Sequence, residues 1–409
     1  VEVVSAVVPS IFATSNVRGE LIVLALNCGS SSLKFGLYRV DESRTHALVS
    51  GEVESIGASS SKFHAFDTPG HSLVSERISL ATQNDALIRI AKLLVDGNMP
   101  APSAIGHRIV HGGPTLRQHC RIDHAVLQQL QDASTFAPLH TPATLSVIRY
   151  AESHFPDMPQ IACFDTTFHA NLPDVARVLP IPKELRSEGI QRYGFHGLSC
   201  ESIMRQLVSD LPSRLIIAHL GNGASITAIK NGISIDTSMG LTPSGGVIMG
   251  TRSGELDPGV LIYLMREKKF DAAKLEELID QRSGLLGISG VAGDMRLLHV
   301  AAVTNTDARL AIDMFCYSVR KQIAAMIAVL DGIDMIVFCG GIGENDALVR
   351  AEICAGLGWV GVRLDAERNG TATNPIGDAR SRCAVQVLIS QEDEQIARHS
   401  WDLLPEYRS

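Results

Sequence analysis

The sequence predicts an α/β protein of two domains, and three observations carry that prediction. An apolar run ending at Asn27 passes through a Gly-Ser-Ser-Ser turn into a second strand-like run at Leu33. The pattern returns at residues 214–232, RLIIAHLGNGASITAIKNG, so each half of the chain opens on a comparable hairpin. Further on, apolar residues at helical spacing from Ala308 to Leu330 lead into the strand MIVFC, the loop GGIGEN and a second helical stretch. Strand, Gly-rich loop and helix together form a nucleotide platform. At 409 residues the chain is long enough for two separate cores.

Taken in order, LIVLAL, KFGLYRV and ALVSGEV in residues 21–55 read as a strand meander. Gly29 lets backbone approach a ligand, and the turn's successive N–H groups can form an anion site with Lys34 beside it. The spacing is not that of a Walker loop. Asn84–Val95 has helical spacing, and SAIGHRIVHGG reads as a buried strand that brings Arg108 and His111 to its end, where open α/β sheets bind ligands. Asp123–Leu130 and Thr144–Ser153 read as helices with PLHTPAT as a loop between them, and IACFDTTFH brings Asp165 to a strand terminus. Pro173, Pro180 and Pro182 punctuate a connection between domains. Beyond the second hairpin, residues 236–259 form a Gly-rich loop carrying Arg252, Leu275–Asp280 is helical, and SGLLGISGVAGDMR is turn-rich. AVQVLIS is a strand and EDEQIARHSWDLL an acidic terminal helix.

Composition excludes several classes. With 45% hydrophobic and 20% charged residues the chain is neither disordered nor fibrous. A net charge of -8 and a pI near 6.0 argue against nucleic-acid binding. The eight cysteines have no Cys-x-x-Cys pair and no zinc-like spacing, which suggests reduced thiols and a cytoplasmic protein. No apolar run approaches the roughly 20 residues that span a bilayer. Residues 1–20 read as an extension without the basic start of a signal peptide.

The segments NCGSSSLKF, GHRIVHGG, FDTTFH, RYGFHGLS, HLGNGASITAI, DTSMGLTP, MGTRSGELDPG, SGLLGISG, DMR and FCGGIGEN, in this order, closely resemble the acetate kinase family from residue 21 onward. The resemblance implies a duplicated actin-like ATPase (ribonuclease H-like) fold with a nucleotide cleft between two domains. These would span residues 21–165, completed by about 390–409, and residues 166–389. It further implies a homodimer and a reversible magnesium-dependent transfer from ATP to acetate, giving acetyl phosphate and ADP. Manganese is an alternative metal.

By position, the resemblance makes Asn27 and Glu392 metal-associated and Lys34 a nucleotide contact. Arg108 would meet the carboxylate substrate, Asp165 would match the family's active-site acid/base, His196 would stabilise the transition state, and Arg252 would be the second catalytic arginine. The phosphate loop would be His219, Leu220, Gly221, Asn222 and Gly223. Adenosine contacts would be Asp294, Met295 and Arg296, and the second nucleotide loop Gly341, Ile342, Gly343, Glu344 and Asn345. Val110, Leu139, Phe195 and Pro243 would line the acyl pocket, where a valine at 110 accompanies acetate preference.

Three sites, four residues in all, depart from the family pattern. Cys200 replaces a histidine, Thr141 an asparagine, and Ser244-Gly245 a Leu-Glu pair just upstream of Arg252, a change expected to loosen that loop or alter the pocket. Acetate is ionised at neutral pH and needs no base, so Asp165 is expected to position the metal or orient an arginine. Direct in-line transfer follows. Alternatives are a propionate or broader short-chain acyl kinase, a sugar kinase, and a non-catalytic actin-like nucleotide-binding protein. His107, His111, His140 and His169 are expected to be structural.

Overall fold

The computed structural model describes residues 19–29, 31–138 and 141–407, so Leu139, His140 and nearly all of the N-terminal extension lie outside the described residues. Two compact units emerge: the chain through Thr167 together with the segment from Gln391 onward, and Phe168–Ser390.

The first unit is built on an eight-stranded sheet: β1 (Leu21–Cys28), β2 (Ser32–Val40), β3 (Thr45–Glu54), β4 (Ser61–Asp67), β5 (Ser72–Ile78), β6 (Ala104–Ile109), β7 (Cys120–Arg121) and β8 (Gln160–Phe164). The second has five strands: β9 (Arg214–Leu220), β10 (Ala224–Lys230), β11 (Ile233–Thr237), β12 (Met335–Cys339) and β13 (Ala384–Val387). Both contain one topology. In the first unit β3-β2-β1 form an antiparallel meander, extended in parallel by β6 and β8. In the second, β11-β10-β9 form the meander, extended in parallel by β12 and β13. The fold is therefore α/β and duplicated, and the two hairpins read from the sequence begin the two copies.

Residues Ser61–Ile78 alternate apolar and polar side chains and add β4 and β5 to the meander, a pair the sequence reading omitted. PLHTPAT is not a loop throughout, because Thr141 already begins the helix Thr141–His154. Proline is tolerated in a first helical turn, where its missing N–H has no intrahelical partner. GGIGEN is likewise a short helical turn, Gly340–Asn345, rather than an open loop. The helix Pro258–Glu267 was also unforeseen, although Asp257 caps it and Pro258 starts it.

The long helix Thr306–Leu330 buries Ile312, Phe315, Val319, Ile323, Met326 and Leu330, each worth about 1.5–3 kcal/mol of burial. Asn305 caps its start by accepting from the amides of Asp307 and Ala308, and Asp331 ends it in a left-handed conformation. The acidic terminal helix, Glu392–Asp402, does more than cover a solvated face: Ile396, Ala397, Ser400 and Trp401 are buried. It packs on Gly106 of β6, where a Cβ would lie 2.4 Å from Ile396 Cγ2. That docking returns Glu392 to the first unit.

Two buried histidines set a pH dependence of stability. His107 Nε2 lies 2.8 Å from Gln160 Oε1, and His169 contacts Ser234 Oγ (2.9 Å) and the Phe195 carbonyl (3.1 Å). Burial pushes both down to about 4 from an ordinary 6.5. Between those values the unfolded chain binds more protons, so stability is complete above pH 6.5 and falls as pH drops towards 4. The loss is about 3 kcal/mol per histidine at most. Thermal midpoints measured across that range should fall steeply, and His107→Gln should flatten the slope; an unchanged slope would remove His107 from this account.

Candidate functional site

In the first unit the parallel register places three side chains together. Leu26 pairs with His107 and Arg108 with Cys163, so Asn27, Arg108 and Asp165 follow one another along adjacent strand ends. Arg108 Nε and Nη2 donate to Asp165 Oδ2 at 2.9 and 2.5 Å, while Nη1 donates to Asn27 Oδ1 at 2.9 Å. Asp165 is fully buried. Burial alone would lower the Arg108 pKa, but Asp165, Glu392 and Asp393 outweigh it and raise it. Arg108 is therefore a permanently charged, fixed fork.

Asn27 Nδ2 also reaches Glu392 Oε2 at 3.3 Å. Beside Glu392 stands Asp393, which the sequence reading passed over because the family pattern marks only one carboxylate there. Its Oδ1 is shielded from solvent and has no hydrogen-bond partner among the described residues. Burial first, and the Glu392 charge second, push the Asp393 carboxyl up to about 6. Two adjoining carboxylates, one with a buried unsatisfied oxygen, are hard oxygen donors of the kind Mg²⁺ or Mn²⁺ takes, and the Asn27 carbonyl oxygen, which accepts from Arg108, keeps a second lone pair beside them. Lys34, opposite Asn27 in the β1–β2 register, keeps a half-exposed ammonium 4.0 Å from Glu52.

The second unit carries its own cluster. His196 sits in a left-handed conformation (φ 59°) immediately before the helix Gly197–Gln206, a costly backbone state for a non-glycine residue. Its Nδ1 is 3.0 Å from Ser225 Oγ, and its ring stacks on His219 with centroids 4.3 Å apart. A Ser225 hydroxyl donating to Nδ1 leaves the proton on Nε2. A Cβ built on Gly223 would lie 3.1 Å from His196 Nε2 and 3.2 Å from Arg252 Nη1. Glycine thus leaves a small space that two donor tips face.

Around this space, Leu220 is buried at the end of β9, Gly221 N–H donates to the Gly223 carbonyl (2.9 Å), and the Asn222 carbonyl accepts from Gly250 N–H (3.0 Å). Arg252 Nη1 donates to the Pro243 carbonyl at 3.4 Å. His219 Nδ1 is 2.8 Å from Ser199 Oγ, which also contacts Ser390 Oγ at 2.8 Å.

The turn at Gly340–Asn345 is braced from below. Glu344 Oε1 accepts from the amides of Gly340 and Ser390, each at 2.9 Å, and Asn345 Nδ2 donates to the Gly341 carbonyl. Fully buried Arg350 donates to the carbonyls of Gly343 and Glu344 and to both Asn369 oxygens. Such a guanidinium satisfies orphan carbonyls at a helix end. As the one cation of the largely apolar helix Ala347–Ala355, Arg350 had an available signal. Asp294 caps the helix Met295–Ala301 and pairs with exposed Arg296 at 2.6 Å; that hydrogen bond holds its carboxyl below the usual range. Met295 and Ile342 complete these segments, Met295 buried and Ile342 on the Gly340–Asn345 turn. His299 Nε2, 2.7 Å from Asp346 Oδ2, ties that helix to the end of the turn.

Of the positions expected to line an acyl pocket, Val110 is buried just beyond β6, and in the second unit Phe195 is buried and Pro243 half-buried. Leu139 is outside the described residues. Cys200 fills the core with Ile203, Leu207 and Leu215, and Thr141 is a buried helix-start residue.

A profile of the Acetokinase family matches residues 22–398. The chain belongs to the acetokinase family. The acetate kinase of Methylocella silvestris is 41% identical, with 93% of this chain and 98% of that protein covered. Among solved structures, a propionate kinase from Francisella tularensis superposes with a TM-score of 0.87 at 35% identity, covering 94% of this chain and all of the other. The acetate kinase of Porphyromonas gingivalis gives 0.83 at 35% identity, with 94% of this chain and 100% of the other covered. This acetokinase-family chain is therefore a kinase with the α/β fold of its acetate- and propionate-kinase relatives. Among the described residues no helix is long and apolar enough to cross a membrane.

Proposed function

We propose that the chain is an acetate kinase, transferring the terminal phosphoryl group of ATP reversibly to acetate by direct in-line displacement. The observation that carries this reading is the fixed Arg108 fork in the first unit, with the convergence of His196 Nε2 and Arg252 Nη1 over Gly223 in the second as its counterpart. A carboxylate and a polyphosphate repel each other, and forked guanidinium groups answer that repulsion better than lysine point charges. In this reading Arg108 receives the acid's carboxylate, while Arg252 and His196 donate to the equatorial oxygens of the group in transfer. The loops His219–Gly223 and Gly341–Asn345, with Asp294–Arg296 and Lys34, bind the nucleotide. Asn27, Glu392 and Asp393 would hold a magnesium or manganese ion, which when bound neutralises phosphate charge. Asp165 orients Arg108 and moves no proton.

Buried Val110 supports acetate over propionate, since one methylene in an apolar pocket is worth about 1–3 kcal/mol. The test is incubation with ATP, Mg²⁺ and acetate, propionate, butyrate or glucose, with acyl phosphate trapped by hydroxylamine. Acetate should give the highest specificity constant and propionate a lower one; equal values would defeat the acetate assignment, and no hydroxamate with any acid would overturn the kinase reading. Retention of configuration at a chiral γ-phosphorus would replace in-line transfer with a phosphoenzyme.

The same reading makes the protein a cytoplasmic homodimer. None of the helix Pro258–Glu267 is buried, and Val260, Ile262, Tyr263 and Met265 are 40–55% exposed. Such an apolar surface fits a second copy of the chain. Scattering in solution should report a dimer, and Ile262→Asp with Met265→Glu should yield monomers; a monomeric wild type would exclude this surface as a dimer interface.

A further inference from the structure

We propose that the Ser244–Asp280 pair is a positioning device for Arg252. This rests on the assignment of Arg252 to the phosphoryl group in transfer. The sequence marks Ser244-Gly245 as a departure expected to loosen the Arg252 loop, but the structure shows an anchor there. The Ser244 hydroxyl donates to Asp280 Oδ1 at the last turn of the helix Ala272–Gln281. The Asp280 carbonyl accepts from Thr251 Oγ1 at 2.8 Å, and the Ile279 carbonyl accepts from Ser253 N–H at 2.9 Å. Both neighbours of Arg252 are thus bonded to the same helix end, and Ser283 N–H returns a bond to the Thr251 carbonyl at 3.0 Å.

The arginine's tip is referenced to the same point. Ser244 follows Pro243, whose carbonyl accepts from Arg252 Nη1. Fixing Ser244 on Asp280 therefore fixes the acceptor that aims the guanidinium, while Thr251 and Ser253 fix its base. Gly284, at φ +61°, lets this backbone close in, since a Cβ there would lie 2.2 Å from the Met249 carbonyl oxygen and 2.6 Å from that of Arg252. With its backbone held on both sides, the guanidinium takes part of its direction from the Pro243–Ser244 strap, alongside a 3.9 Å contact of Nη1 with Met249 Sδ. Misplacing a catalytic group by about 1 Å can cost about 10²-fold in rate.

The test is steady-state kinetics of Ser244→Ala, Ser244→Thr, Asp280→Ala and the double alanine variant, alongside thermal midpoints. The expected result is a kcat about 10-fold lower in Ser244→Ala with KM for ATP and the thermal midpoint nearly unchanged. Ser244→Thr, which keeps the hydroxyl, should recover most of the rate. The double variant should be no slower than Asp280→Ala, because both remove one bond. An active wild type with unchanged kcat in Ser244→Ala overturns the inference. So does a loss confined to stability or to KM for ATP, or no recovery with threonine. A wild type that forms no acyl phosphate from any acid overturns the functional reading itself, and this inference with it.

Discussion

Arg252→Ala should lower kcat for acyl phosphate formation by on the order of 10³-fold while changing ATP affinity little. A Cβ built on Gly223 would lie 3.2 Å from the guanidinium's Nη1 and 3.1 Å from His196 Nε2, so both tips reach this space. On the proposed reading, a group that reaches this space from outside the nucleotide loops gains most of its interaction as charge develops in transfer. Such a group appears in kcat and kcat/KM alike, with KM for ATP left near its starting value. Arg252→Lys should recover little, because an ammonium cannot present two parallel donors. Single-turnover kinetics with a nucleotide-binding measurement check both statements. A variant with normal kcat and weakened ATP binding would make Arg252 a nucleotide contact and nothing more.

Asp165→Asn should lower kcat by on the order of 10²-fold and raise KM for acetate, through Arg108. Two donors of Arg108 end on the one oxygen Oδ2, and an amide presents at best a neutral carbonyl there. Removing the buried charge leaves the guanidinium partly uncompensated, at a stability cost of about 3 kcal/mol. Because acetate needs no deprotonation at neutral pH, the residual activity should keep the wild-type shape of its pH profile. A proton-transfer role would instead delete one limb of that profile. Full activity with unchanged Mg²⁺ dependence in Asp165→Asn would dismiss the orienting role.

Much of the fold was legible in the chain because it is written locally. The hairpins at 21–38 and 214–232 follow from apolar runs interrupted by small, turn-forming residues, and the helix at 306–330 from its three-and-four spacing. The missed elements had local signals too: the alternation of β4 and β5, and Asp257-Pro258 at the start of a helix. Residues such as Arg108, Asp165, His196 and Arg252 could be named from motif order. Their partners could not, since hydrogen bonds between residues distant in sequence leave no local trace. Asn27 to Glu392 spans 365 positions and Arg108 to Asp165 spans 57.

By itself, then, the sequence determined the α/β class, the duplicated hairpins, the family resemblance and which residues were expected to meet a polyphosphate and a carboxylate. Only the tertiary structure decided that Arg108 is a fork clamped by Asp165 and Asn27, that Asp393 joins Glu392 with an unsatisfied oxygen, and that Ser244 anchors the Arg252 loop. The physical reason is that periodicity and turn chemistry act over a few residues. Strand register and helix docking, as of the terminal helix on Gly106, bring charges together across the chain and fix which way each one points.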